Sequence, residues 1–134
     1  MRRCLSPFSL PCQATGYASF VPPIPWSRRS RFVKVRDRES YEFALASAAV
    51  ALDMASDGMV NEARIALGGV ATVPWRAREA ESFLPKQRLS PEVAEQAGEL
   101  AFRDAEPRQH NSFKIALGRR TLERALLETA SIEV

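Results

Sequence analysis

A two-layer α+β sandwich is the fold class this 134-residue sequence predicts, with a three- to four-stranded antiparallel sheet and about three helices packed on one face. Three observations point to it. Strand-like segments come first and helix-like segments follow, without the alternation of βαβ units. Two apolar runs, "YEFALASAAVALDM" and "VNEARIALGGVAT", flank the turn sequence "ASDGM" and read as a hairpin. The length allows one domain with a single core of moderate size.

Residues 1–27 hold five of the nine prolines, including those of "VPPIPW", and show no helical or strand periodicity. They read as an irregular leader or linker, extended where Pro22, Pro23 and Pro25 fix the backbone. The folded domain is expected over residues 28–134. "RFVKVRD" alternates Phe32, Lys34 and Arg36 against Val33 and Val35, as a strand does. The alanines of "YEFALASAAVALDM" favour helix. The Asp-Gly turn and the second apolar run favour a strand, because small residues also suit a strand covered closely by helices. The hairpin is preferred. In "PWRAREAESFL", Pro74 fits a first helical turn, and Ala77, Ala80, Phe83 and Leu84 recur at helical spacing. "LSPEVAEQAGELAFRDA" offers Ser90 as N-cap, Pro91 at the first helical position and Glu92 near the positive end. Its apolar set is Val93, Ala94, Ala97, Leu100 and Ala101. "SFKIALGRRTLERALLETA" is a last helix with Phe113, Leu117, Thr121, Leu122, Ala125 and Leu126 on one broad face.

Composition narrows the function. Hydrophobic residues make up 46% and charged residues 26%, the balance of a globular protein, and no apolar run reaches the roughly 20 residues needed to span a bilayer. The basic start is interrupted by Ser, Pro and Gln, which argues against an export signal. The net charge of +3 is uneven. Arg2, Arg3, Arg28, Arg29, Arg31, Lys34, Arg36 and Arg38 lie in the first 40 residues against only Asp37 and Glu39, so the remainder is mildly acidic. Such a basic arm can attract phosphates. It lacks interleaved aromatics and any recognition motif, so no nucleic acid is expected as a partner. Cys4, Cys12 and His110 cannot assemble a tetrahedral metal site, and the two cysteines are expected to be reduced.

The stretch "ARIALGGVATVPWRAREAES" poses the sharpest local question. Gly68-Gly69 could cradle a phosphate, but it lacks the third glycine and the spacing of a dinucleotide or Walker loop. A tight strand-to-helix corner, with Val70 and Val73 beneath the sheet, is the better reading. Trp26 and Trp75 sit beside prolines and read as core anchors. His110 has no nucleophile in a catalytic pattern. Glu79, Glu81, Glu92, Glu95 and Glu99 fall at helical spacing with Arg78 and Arg103, as on an exposed face. The one dense polar-aromatic cluster is "KVRDRESYEFALAS". There Lys34, Arg36 and Arg38 line one side of a strand and Tyr41 and Glu42 follow on the turn, either as a solvated face or as a surface for an anion or a ring.

Two of these stretches, "RDRESYEFALASAAVALDM" and "EARIALGGVATVPWRAREAE", together with "PRQHNSFKIALGRRTLERALLE", carry a resemblance. In the last, Asn111, Phe113, Lys114 and the run Arg119-Arg120-Thr121 keep the family order. From about Pro23 to Leu127 the chain resembles the C-terminal domain of the FAD-binding, or medium, subunit of the xanthine dehydrogenase and aldehyde oxidoreductase family of molybdenum hydroxylases. The resemblance implies a small α+β sandwich, FAD as cofactor of the complete subunit, and partner subunits carrying molybdopterin and iron–sulfur clusters. Electrons would pass from those clusters through FAD to an external acceptor. It also places flavin-side contacts between Lys34 and Phe43, with Lys34, Arg38, Tyr41 and Glu42 as candidates.

The departures from the family are as informative. The larger domain that holds the FAD pyrophosphate has no counterpart here, since no glycine-rich loop precedes Arg28, and residues 1–20 do not resemble the family segment before "PPIPW". The expectation is a subunit that lacks its front, through truncation, a shifted frame or a misplaced start. Alone, it would be inactive and would hold FAD weakly or not at all. The alternative is a stand-alone module that docks on partner oxidoreductase subunits without catalysis of its own. Either would work in the cytoplasm, or in the periplasm after co-export with its partners, and no membrane contact is expected. Limited proteolysis should trim residues 1–25 and leave a stable core from about Arg31 to Ala130, and protection of the start would overturn this division.

Overall fold

The alanine-rich run that could be helix or strand is a strand. In a computed structural model, which describes residues 28–38 and 41–133, it forms the nine-residue β2 (Ala46–Met54). It pairs antiparallel with β1 (Ser30–Val35) and with β3 (Val60–Gly68), and β3 pairs with the two-residue β4 (Trp75–Arg76). The strand order is β1-β2-β3-β4, so every neighbour in the sheet is also a neighbour in sequence. Cys4, Cys12, Trp26 and the Pro-rich leader lie outside the described residues.

The hairpin turn is built as the Asp-Gly pair predicts. Asp57 Oδ1 accepts from Met59 N at 2.9 Å, Gly58 N donates to Ala55 O at 3.0 Å, and Gly58 takes φ +83°, which glycine adopts without steric cost. A register shift at Asp53/Met54 absorbs the turn.

Three helices follow: α1 (Arg78–Phe83), α2 (Pro91–Ala101) and α3 (Phe113–Ala130). The first is shorter than the sequence suggests. Trp75 and Arg76 belong to the sheet, paired with Leu67 and Ala66, and Ala77 N still donates to Ile65 O at 3.1 Å. The helix starts only once these backbone groups are satisfied. For α2 the predicted cap is present, since Ser90 Oγ accepts from Val93 N at 3.3 Å. The Ser90 hydroxyl and a backbone N–H also hold the Glu92 carboxyl below its ordinary pKa.

All three helices cover one face of the sheet. That face presents Val33, Ala48, Val50, Leu52, Ala63, Ile65 and Leu67. The long helix α3 lies across β1 and β2, α1 lies against β3, and α2 packs between the two helices. The cover is close because the contacting residues are small: Ala80 of α1, Ala94 and Ala97 of α2, and Ala125 of α3 are all fully buried. Leu84, Leu122 and Leu126 fill the remaining space. Trp75 packs against this core, as an anchoring aromatic should. Glu128 fastens α3 to the edge strand by accepting from Arg31 at 3.0 Å, and it also accepts from Arg124 Nε at 2.6 Å. These guanidinium partners, Arg124 foremost, hold its carboxyl below the ordinary range.

Two side chains expected inside are outside. Phe113 opens α3 beyond the edge of the core, and Val73 sits in the loop of residues 69–74 rather than beneath the sheet. By contrast Leu126, at the centre of the packed face, has no exposed surface. Leu126→Ala should lower unfolding stability by about 2–5 kcal/mol, the range for a leucine deleted from a packed core. Urea denaturation measures it directly.

Candidate functional site

One end of the sandwich gathers the chain's unusual features. β1 ends there, β2 begins, β3 ends, β4 begins, and α3 starts beside them. Strand β1 stops at Val35, so Arg36 and Arg38 lie in the β1–β2 loop rather than on the strand. Lys34 Nζ donates to Glu42 O at 2.6 Å, and Arg38 Nε donates to Glu42 Oε2 at 3.4 Å. Three of the four predicted site residues, Lys34, Arg38 and Glu42, are thus brought together around Glu42. The fourth, Tyr41, has a fully exposed side chain, as does Phe43.

Tyr41 has φ +52°, a left-handed conformation that bulky side chains rarely adopt. Such a residue persists where its surroundings impose it. With Val73 in the β3–β4 loop and Phe113 at the start of α3, this end carries four of the large exposed hydrophobic side chains, among the cations Lys34, Arg36 and Arg38, while the exposed Phe32 lies farther along β1, opposite Ala49. It combines flat apolar surface with positive charge, which suits an anionic or electron-rich ring system.

The Gly68-Gly69 pair forms a tight corner, but one that leads from β3 into the loop before β4 rather than from strand to helix. A Cβ on Gly69 would meet Ala44 O at 2.7 Å and Leu45 O at 3.1 Å, and its φ is +74°. A Cβ on Gly68 would meet Ser47 Oγ at 2.6 Å. The space that a phosphate would need is occupied by backbone carbonyls, and carbonyl oxygens repel phosphate. Lys114 Nζ enters this corner, donating to Gly69 O at 2.7 Å and to Leu45 O at 3.3 Å. In the sequence Lys114 stands out only through the family resemblance, because backbone carbonyls leave no mark in the residue types. The available signal was a cation in the first turn of a helix, where the helix dipole disfavours it.

A second feature missed from sequence is Glu81. Its spacing suggests an exposed helix face, yet it is buried. Glu81 Oε1 accepts from Ile65 N at 2.8 Å, and both of its carboxylate oxygens accept from Arg76 Nε, at 3.1 and 3.0 Å. The pairing raises the Arg76 pKa further, chiefly through the hydrogen bond. This is a staple between β3, β4 and α1. A cavity of about 40 Å³, lined by Val70, Trp75, Phe102, Asn111, Lys114 and Ile115, lies beside the corner and has room for little more than water. His110 is exposed in the α2–α3 loop. Among the described residues no cluster of three or more His, Cys, Asp or Glu is placed to hold a metal, and no helix is long and apolar enough to cross a membrane.

Residues 31–129 match the model of the CO dehydrogenase flavoprotein C-terminal domain. The chain belongs to that family. Over 108 residues, 81% of this chain and 30% of the relative, it is 38% identical to the aldehyde oxidoreductase FAD-binding subunit PaoB of Escherichia coli (strain K12). The fold is similar to that of quinoline 2-oxidoreductase from Pseudomonas putida 86, with a TM-score of 0.71 and 30% identity over 76% of this chain and 36% of that one. A Cu,Mo-CO dehydrogenase gives a TM-score of 0.70 at 26% identity, over 78% and 37% of the two chains. The present chain therefore spans about a third of the length of the relatives it matches. The four-stranded antiparallel sheet with its helices is the α+β sandwich expected for this chain.

Gly69→Val should destabilise the fold. The branched side chain would be forced against Ala44 O and Leu45 O at a φ that β-branched residues avoid, and overpacking alone costs about 1–3 kcal/mol. A lower midpoint in chemical denaturation is the expected result, and an unchanged midpoint would contradict the corner geometry.

Proposed function

We propose that this chain acts as the C-terminal domain of the FAD-binding subunit of a molybdenum hydroxylase-type oxidoreductase, with its loop end turned toward the flavin ring. The observation that carries the reading is the convergence of Lys34, Arg38 and Glu42 beside the fully exposed Tyr41 and Phe43, on a chain of the flavoprotein C-terminal family. In the complete subunit FAD would relay electrons from iron–sulfur clusters, fed by a molybdopterin subunit, to an acceptor.

The residues at this end fit one side of the isoalloxazine ring. Tyr41 and Phe43 supply flat surface that excludes water, and Lys34, Arg36 and Arg38 supply positive charge. They do not fit the pyrophosphate, because the glycine corner is lined by carbonyl oxygens and closed by Lys114. Holding the cofactor is therefore assigned to the part of the subunit that the relatives have and this chain does not match, while this domain caps the ring. A second reading, a non-catalytic docking module for the other subunits, draws on the same exposed aromatics.

The two readings separate in a flavin-fluorescence titration. The chain alone should show no saturable quenching at low micromolar concentration in about 0.15 M salt, where exposed charge attraction is screened. Adding the FAD-binding front of such a subunit as a separate chain should restore binding, and Tyr41→Ala should weaken it. Tight binding by the chain alone would overturn the capping role. Restored binding that is insensitive to Tyr41→Ala would favour the docking module.

A further inference from the structure

Two carbonyl oxygens from separate loops share one cation at the loop end: Leu45 O of the β1–β2 loop and Gly69 O after β3. Ala44 O and Leu45 O crowd the position that a Gly69 Cβ would occupy, and Lys114 Nζ donates to Leu45 O and Gly69 O. An ammonium that donates to two carbonyl oxygens at once bridges them with charge-assisted hydrogen bonds. Among the described residues no carboxylate forms an ion pair with Lys114, so its charge is spent on backbone.

The location of Lys114 argues independently for a specific task. It is the second residue of α3, which has no acidic residue in its first turn and no side-chain cap at Ser112. A cation there opposes the helix dipole. A surface-filling residue would not be favoured at this position, but a residue whose ammonium is needed 69 positions away in the chain would be. The target loop is the one that carries the site. Leu45, whose carbonyl Lys114 holds, donates its own N–H to Val35 O at 2.9 Å, and three residues earlier Glu42 O accepts from Lys34.

We propose that Lys114 is the positioning residue of this end: its ammonium ties the β1–β2 loop to the β3–β4 corner and so fixes how Tyr41, Glu42 and Phe43 are presented. The loop-clamp role stands on geometry alone, and its consequence for the flavin rests on the reading of this end as the ring side.

Amide hydrogen exchange on the full chain tests the clamp. In Lys114→Met the Leu45 amide should exchange at least about tenfold faster, the size of effect that losing a charge-assisted hydrogen bond produces. Amides in the centre of β2 and β3 should keep their wild-type rates, and Lys114→Arg should restore most of the Leu45 protection. An unchanged Leu45 rate overturns the proposal. So does an equal acceleration across the core, or failure of Lys114→Met to fold, since either makes Lys114 a general fold determinant. With the FAD-binding front supplied as a second chain, Lys114→Met should weaken FAD binding by a similar factor and Lys114→Arg should not. If the wild-type pair binds FAD and Lys114→Met binds it equally well, the positioning role falls. If the wild-type pair takes up no FAD, the flavin reading falls, and the exchange rates decide the clamp by themselves.

Discussion

Six side chains of the two long strands, Ala48, Val50, Leu52, Ala63, Ile65 and Leu67, are withdrawn almost wholly from water, and the need to cover them governs the other elements. A sheet face of this kind cannot remain wet. One 18-residue helix is long enough to cross β1 and β2, and two shorter helices complete the layer. The alanines on both sides of the contact let helix and sheet backbones approach closely. They also make the packing intolerant of added volume.

The same economy shapes the end where the loops meet. Close packing brings backbone groups of separate segments toward one another, and side chains complete their hydrogen bonding. At the β4–α1 junction a backbone N–H is met by the buried carboxylate of Glu81, itself balanced by Arg76. At the other corner the carbonyls are met by the ammonium of Lys114. One anion and one cation thus each tie together backbone of separate segments. Beside the Lys114 corner stands a loop whose aromatic side chains, Tyr41 and Phe43, are exposed.

The sandwich was legible in the sequence because its largest signals are local. The Asp57-Gly58 turn, the Ser90-Pro91 helix start and the apolar spacing of Leu122, Ala125 and Leu126 each declare one element without reference to the others. The strand character of β2 was harder to read, since alanine favours helix and only the cover above it makes a strand of alanines stable. Strand β4 was hidden, because two residues show no period and Pro74 fits a helix start as well. Of the site, Lys34, Arg38 and Glu42 could be grouped from sequence because they lie within nine residues of one another. Lys114 could not, since its partners are main-chain oxygens far away in the chain. Nor could Glu81, whose helical spacing is identical to that of a solvated residue.

The sequential order of the strands bears on how the chain reaches this state. A meander grows by adding each strand to the one just made, and a hairpin of this kind forms within microseconds, with little entropy lost to loop closure. Helix α3 is different. Its contacts with β1 and β2 span most of the domain, so they carry the largest loop-closure cost and should form late. The rate-limiting search should therefore be the docking of that helix on a preformed sheet. Until it docks, the apolar face of the hairpin is open to a neighbouring chain as well as to its own helix, which makes that interval the one in which aggregation competes with folding.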